Sequence, residues 1–100
     1  MKLGLLGEVL GHSLSPVIHE KLFQKLGISS TYELIEIPGD TFQKDLPGLL
    51  GRYDGLNVTI PYKVDVIPFL DELSKEAATI GAVNTIARKK GRLMGFNTDY

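Results

Sequence analysis

Asn57-Val58-Thr59-Ile60-Pro61-Tyr62-Lys63 is the stretch on which the reading of this chain turns. Leu56, Val58 and Ile60 alternate with Asn57 and Thr59, a period of two that predicts a strand with one apolar and one polar face. Side chains on the polar face stand about 7 Å apart, two rises of a strand. Pro61 lacks a backbone donor and is expected to stop the ladder. Tyr62 and Lys63 then lie just past the strand's carboxyl end, where open α/β sheets bind their ligands. The segment thus brings an amide, a hydroxyl and an ammonium toward one crevice. The plainer alternative is an edge strand with solvated polar residues and a surface lysine.

Moving outward, residues 2–7 (K-L-G-L-L-G) form a short apolar run that reads as a buried parallel strand. Ser15 suits a helix N-cap and Pro16 the first helical position. Behind them Ile18, Leu22 and Leu26 recur at helical spacing, Val17 and Phe23 widen the apolar stripe, and Gly27 closes it. Residues 31–37 (T-Y-E-L-I-E-I) predict a second strand. A short helix carrying Phe42, Leu46, Leu49 and Leu50 follows, capped by Asp40 or Thr41, with a break expected at Pro47-Gly48. Strand–helix–strand–helix–strand is the alternation of a parallel sheet. Beyond Lys63, residues 64–70 predict a short helix, and residues 71–80, with Leu73, Ala77 and Ile80, a second one. Residues 82–87 and 92–96 read as strands of a hairpin joined through Arg88-Lys89-Lys90-Gly91. The fold class is therefore α/β: a three-layer sandwich with a mainly parallel sheet, helices on both faces and a C-terminal antiparallel hairpin.

Composition narrows the function. One hundred residues make one domain, and 43% hydrophobic with 23% charged residues fit an ordinary globular domain. Eleven basic against twelve acidic residues give a net charge of −1, which argues against nucleic acid and anionic membrane surfaces as partners. The absence of cysteine excludes disulfides, thiolate chemistry and Cys-based zinc sites. His12 and His19 have no third ligand, so no metal is expected. Residues 1–9 lack a secretory signal and no run suffices to span a membrane, so the expected compartment is the cytoplasm.

The loop between the first strand and first helix holds Ser13 and Ser15 at a helix N-terminus, where free N–H groups and a partial positive charge favour a carboxylate or phosphate. Ser15 alone is better explained as a cap; Ser13 has no such role.

Ser13-Leu14-Ser15-Pro16, the stretch from Asn57 to Lys63, Ala82-Val83-Asn84-Thr85 and Gly95-Phe96-Asn97-Thr98-Asp99 occur in this order. Together they resemble the amino-terminal, substrate-binding domain of shikimate dehydrogenase, and the resemblance covers nearly the whole chain. Glu8-Val9 departs from it, standing where relatives commonly carry a small polar residue and proline. The resemblance implies reversible, NADPH-linked reduction of 3-dehydroshikimate to shikimate, in the pathway to chorismate and the aromatic amino acids. It implies Lys63 and Asp99 as the catalytic pair, with Ser13, Ser15, Asn57, Thr59 and Asn84 joining them in binding the substrate. Lys63 would act as general acid or base, or instead stabilise negative charge on oxygen. NADP would be held by a following Rossmann-type domain, against which this one docks. Residues 1–100 contain no G-x-G-x-x-G fingerprint, so no cofactor-binding residue is expected among them. A quinate-preferring relative and a non-catalytic module for small acids remain open alternatives. The tail from Asn97 is expected to be the least ordered part of the site.

Overall fold

The computed structural model describes residues 1–11, 15–27 and 30–98, and of Ser15, Pro16, Ile18, His19 and Phe23 only the backbone. Six strands, β1 (Lys2–Gly7), β2 (Thr31–Glu36), β3 (Gly55–Val58), β4 (Glu72–Leu73), β5 (Thr85–Lys89) and β6 (Arg92–Phe96), form one sheet in the order β2-β1-β3-β5-β6-β4. The pairs β1–β2, β1–β3 and β4–β6 are parallel, whereas β5 runs antiparallel to both β3 and β6. Helices α1 (Ser15–Leu26), α2 (Phe42–Leu50) and α3 (Lys75–Ile80) connect them, with a 3-10 turn at Ile67–Phe69. The step from β1 to β2 moves one way along the sheet and the step from β2 to β3 moves back past β1. Right-handed crossovers therefore send α1 and α2 to opposite faces.

The core lies under α2. Leu6 is in register with Ile35 and Val58, and Leu56 with Ile86, so four strands present the same face. Phe42, Leu46 and Leu50 close over it. Helix α2 runs unbroken through Pro47, contrary to the expected break. Burying those three side chains contributes about 1.5–3 kcal/mol each. Together they outweigh the roughly 3 kcal/mol of a helix-interior proline. Thr41 occupies the N-cap without a side-chain cap bond; its carbonyl accepts from the amides of Lys44 and Asp45.

Three other expectations change. Residues 71–74 are not helical: Glu72–Leu73 pairs with β6, and only Lys75–Ile80 forms a helix, capped by the Ser74 hydroxyl accepting from the Ala77 amide at 3.1 Å. Asp71 explains the switch, because both its amide, bonded to the Leu93 carbonyl, and its carboxylate, accepting from the Leu93 amide at 2.7 Å, are taken by β6. The described part of the α1 stripe is not buried: Leu22 and Leu26 are 48% and 60% exposed and Val17 is 50% exposed, while the side chains of Ile18 and Phe23 lie outside the described atoms. Helix α1 packs along β2, the edge strand, which offers it little surface. The hairpin turn is only Lys90-Gly91, both at positive φ (51° and 77°) as a type I′ turn requires, so β5 extends to Lys89.

A candidate ligand site at the carboxyl ends of the parallel strands

Strand β3 stops at Val58, but the Thr59 amide still donates to the Leu6 carbonyl at 2.9 Å, so Thr59 stays beside the end of β1. Gly7 permits that approach, since a Cβ there would meet the Thr59 methyl at 2.8 Å and Leu10 at 2.6 Å. The chain then turns: the Tyr62 amide donates to the Thr59 carbonyl at 3.0 Å, and the Ile60–Pro61 peptide is cis. Ile60 does not share the apolar face with Leu56 and Val58 as expected. It sits in the turn and is 76% exposed.

Tyr62 fastens this turn to the core. Its ring is fully buried and stacks on Phe42 with centroids 4.0 Å apart, and its hydroxyl donates to the Ile37 carbonyl. Burial raises its pKa above the ordinary 10.0, and the charges of Glu8, Asp65 and Asp40 add to the rise, which keeps the hydroxyl a neutral donor. Lys63, next in the chain, is half-buried. Its carbonyl accepts from the Val83 amide at 2.7 Å, bringing the turn against residues 82–84.

Asn84 is held from both sides. Its carbonyl accepts from the Val58 amide at 2.8 Å, and its amide donates to the Phe96 carbonyl at 3.0 Å. Its side chain pairs with Thr98: Nδ2 donates to Thr98 Oγ1 at 2.9 Å and Oδ1 accepts from the Thr98 amide at 3.1 Å. Asn57 accepts from the Tyr32 hydroxyl at 2.9 Å, and its Nδ2 lies 3.5 Å from Thr85 Oγ1, which donates to Asn84 Oδ1 at 3.0 Å. An open cavity of about 530 Å³ touches this group at Asn57 and Thr85, but it extends along Leu3, Asp54 and Gly55 to the amino ends of β1 and β3 and is not lined by Thr59, Lys63 or Asn84.

Of the residues singled out from sequence, Asn57, Thr59, Lys63 and Asn84 thus gather where β1 and β3 end. Helix α1 begins at Ser15, and the side chain of Ser15 lies outside the described atoms. Ser13, His12 and Asp99 lie outside the described residues. Asn97, the first residue of the tail, is buried, with Nδ2 donating to the Ala82 carbonyl at 3.1 Å, and Asp99 and Tyr100 at its end lie outside the described residues. Sequence reasoning missed Tyr32, Thr85 and Thr98 as neighbours of the site. Thr85 and Thr98 stood inside quoted motifs, beside asparagines, and that adjacency was the available signal. Tyr32 carried none, since an aromatic residue in a strand reads as core.

Glu8, the departure in the first loop, accepts from the Gly39 amide at 2.9 Å and so ties that loop to the start of the next crossover. Among the described residues no group of three or more His, Cys, Asp or Glu side chains is placed to hold a metal ion. None of their helices is long and apolar enough to cross a membrane.

Residues 5–86 match the family described as the shikimate dehydrogenase substrate binding domain. The chain is 44% identical over 101 residues to the NADP(+) shikimate dehydrogenase of Staphylococcus epidermidis, a match covering 99% of this chain and 37% of that protein. Among solved structures, shikimate dehydrogenase 1 from Peptoclostridium difficile is similar with a TM-score of 0.89 and 48% identity over 99% of this chain and 37% of its own. The Thermus thermophilus shikimate 5-dehydrogenase, solved with NADP(H) and shikimate, has a TM-score of 0.89 at 38% identity over 99% of this chain and 38% of its own. The chain spans a little over a third of the length of the relatives it matches.

Proposed function

Because this chain belongs to the shikimate dehydrogenase substrate-binding domain family, we propose that it holds shikimate or 3-dehydroshikimate within an NADP-dependent shikimate dehydrogenase. One observation supports the reading: Asn57, Thr59 and Asn84 lie around the carboxyl ends of β1 and β3, and the Lys63 carbonyl accepts from the Val83 amide beside Asn84. A ring acid with several hydroxyls needs a carboxylate clamp and a set of polar partners. In this proposal Ser13 and Ser15 clamp the carboxylate at the N-terminus of α1, where unpaired amides favour an anion. Asn57, Thr59 and Asn84 bond the ring oxygens.

Oxidation of the alcohol removes a hydride from carbon and a proton from oxygen. Lys63 is proposed to give or take that proton, with Asp99 orienting Lys63 and the neighbouring hydroxyl. NADP supplies the hydride chemistry when bound, and the loop after β1 does not fit it. The space beside Gly7, where a pyrophosphate would need to approach, is filled by Leu10 and Thr59, and the next residue is the acidic Glu8. The cofactor is therefore assigned to a separate Rossmann-type domain of the whole protein, docked against this one. A cytoplasmic location and a role in making chorismate and aromatic amino acids belong to the same reading.

The test is steady-state oxidation of shikimate and of quinate by the complete protein, with NADP and with NAD, followed by absorbance of the reduced nucleotide. Turnover of shikimate with NADP is expected. Turnover of quinate alone would move the assignment to a quinate dehydrogenase. Shikimate binding without turnover on any pairing would make the domain a small-acid binding module.

A further inference from the structure

The asparagines of the proposed site are linked by a hydrogen-bond chain whose direction is fixed at one end. The backbone amide of Thr98 can only donate, and it lies 3.1 Å from Asn84 Oδ1. Turning the Asn84 amide over would set two donors against each other, so Oδ1 faces Thr98 and Nδ2 donates to Thr98 Oγ1. Thr85 Oγ1, 3.0 Å from the same Oδ1, must then use its single proton there. Having spent it, Thr85 can only accept from Asn57, so Asn57 Nδ2 faces it, across the longest link at 3.5 Å. Asn57 Oδ1 in turn faces Tyr32, whose hydroxyl must donate at 2.9 Å. Tyr32 is buried, and burial raises its pKa above 10.0, so it remains a donor.

We propose that Thr85, backed by Tyr32, is a positioning residue that holds Asn57 and Asn84 with N–H groups toward the ligand; this rests on the substrate reading above. Asn84 Oδ1 has both lone pairs engaged, leaving one Nδ2 proton for a ligand. Asn57 likewise keeps one Nδ2 proton. A donor of this kind bonds an alcohol oxygen and a ketone oxygen alike, so it accommodates both sides of an alcohol–ketone interconversion. An amide free to turn would present its oxygen half the time, which repels a ketone.

The experiment compares wild type, Thr85→Val, Thr85→Ser and Tyr32→Phe in the complete protein. Valine keeps the branched shape without the hydroxyl; serine keeps the hydroxyl. Loss of the hydroxyl in Thr85→Val is expected to raise the KM for shikimate by about tenfold, the weight of one or two bonds to a polar ligand. The KM for NADP should stay constant, and Thr85→Ser should recover the wild-type shikimate KM. Tyr32→Phe, one step further away, is expected to raise the shikimate KM by roughly threefold. An unchanged shikimate KM in Thr85→Val, or a Thr85→Ser variant as poor as Thr85→Val, would overturn the proposal. Side-chain amide resonances of Asn57 and Asn84 separate this from the substrate reading. If the wild-type protein leaves shikimate unoxidised, that reading falls. The relay then stands if both resonance pairs move in Thr85→Val and neither moves in Thr85→Ser, and fails otherwise.

Discussion

The two faces of β3 differ by one residue and by almost everything else. Leu56 and Val58 are 4% and 3% exposed and meet Leu6, Ile86 and the underside of α2. Asn57 and Thr59, interleaved with them, stay part-exposed on the opposite side, and Asn57 bonds Tyr32 and lies beside Thr85. The apolar face is closed and redundant, with each side chain touching several others. The polar face is open, and Asn57 there has two partners, Tyr32 and Thr85, that determine its orientation. Stability and the proposed ligand chemistry thereby fall on opposite sides of one strand, and substitutions should separate accordingly.

The largest separation is expected at Lys63. In the complete enzyme Lys63→Ala should lower kcat by about 10²–10⁴, the usual weight of a general acid–base group, while the shikimate KM and the melting temperature move little. A steep rise in KM with kcat intact would instead make Lys63 a binding residue. From the other side of the sheet, Leu46→Ala should cost about 2–5 kcal/mol of unfolding free energy in denaturant titration, as large-to-small core changes do. The folded fraction should keep its shikimate KM. A raised KM there would show that the two faces are not independent. The smallest effect is expected from Ser13→Ala combined with Ser15→Ala, which should weaken shikimate binding by about 1–3 kcal/mol through lost bonds to a charged group. Affinity unchanged while stability fell would leave those serines as helix caps only.

The sequence was most readable where local pattern and tertiary pairing agree. The alternation around Asn57 identified β3, and the β-branched run around Tyr32 identified β2, because a half-buried strand imposes a period of two. Leu73, Ala77 and Ile80 misled because their spacing suits a helix, while the partner that claims Glu72–Leu73 lies about twenty residues on, in β6. Leu22 and Leu26 misled differently. Their periodicity was real, but nothing local reveals that the strand beneath α1 is an edge. Within the site, Asn57, Thr59, Lys63 and Asn84 were legible as polar groups at strand ends. The direction of the hydrogen bonds linking Tyr32, Asn57, Thr85, Asn84 and Thr98 was not, since it depends on one backbone amide meeting one side-chain oxygen.

The stacking of Tyr62 on Phe42 has a consequence for the genetics of this protein. Phe42 belongs to α2 and also meets Phe69 edge-on at 6.1 Å, so it counts among the core residues. Yet the ring it supports belongs to the residue immediately before Lys63. In a collection of loss-of-function alleles, small replacements at Phe42 would sort with the crevice mutants rather than with those of Leu46. Their suppressors would arise at Tyr62 or Phe69, among the rings that could refill the gap, and not among the polar residues whose loss they imitate.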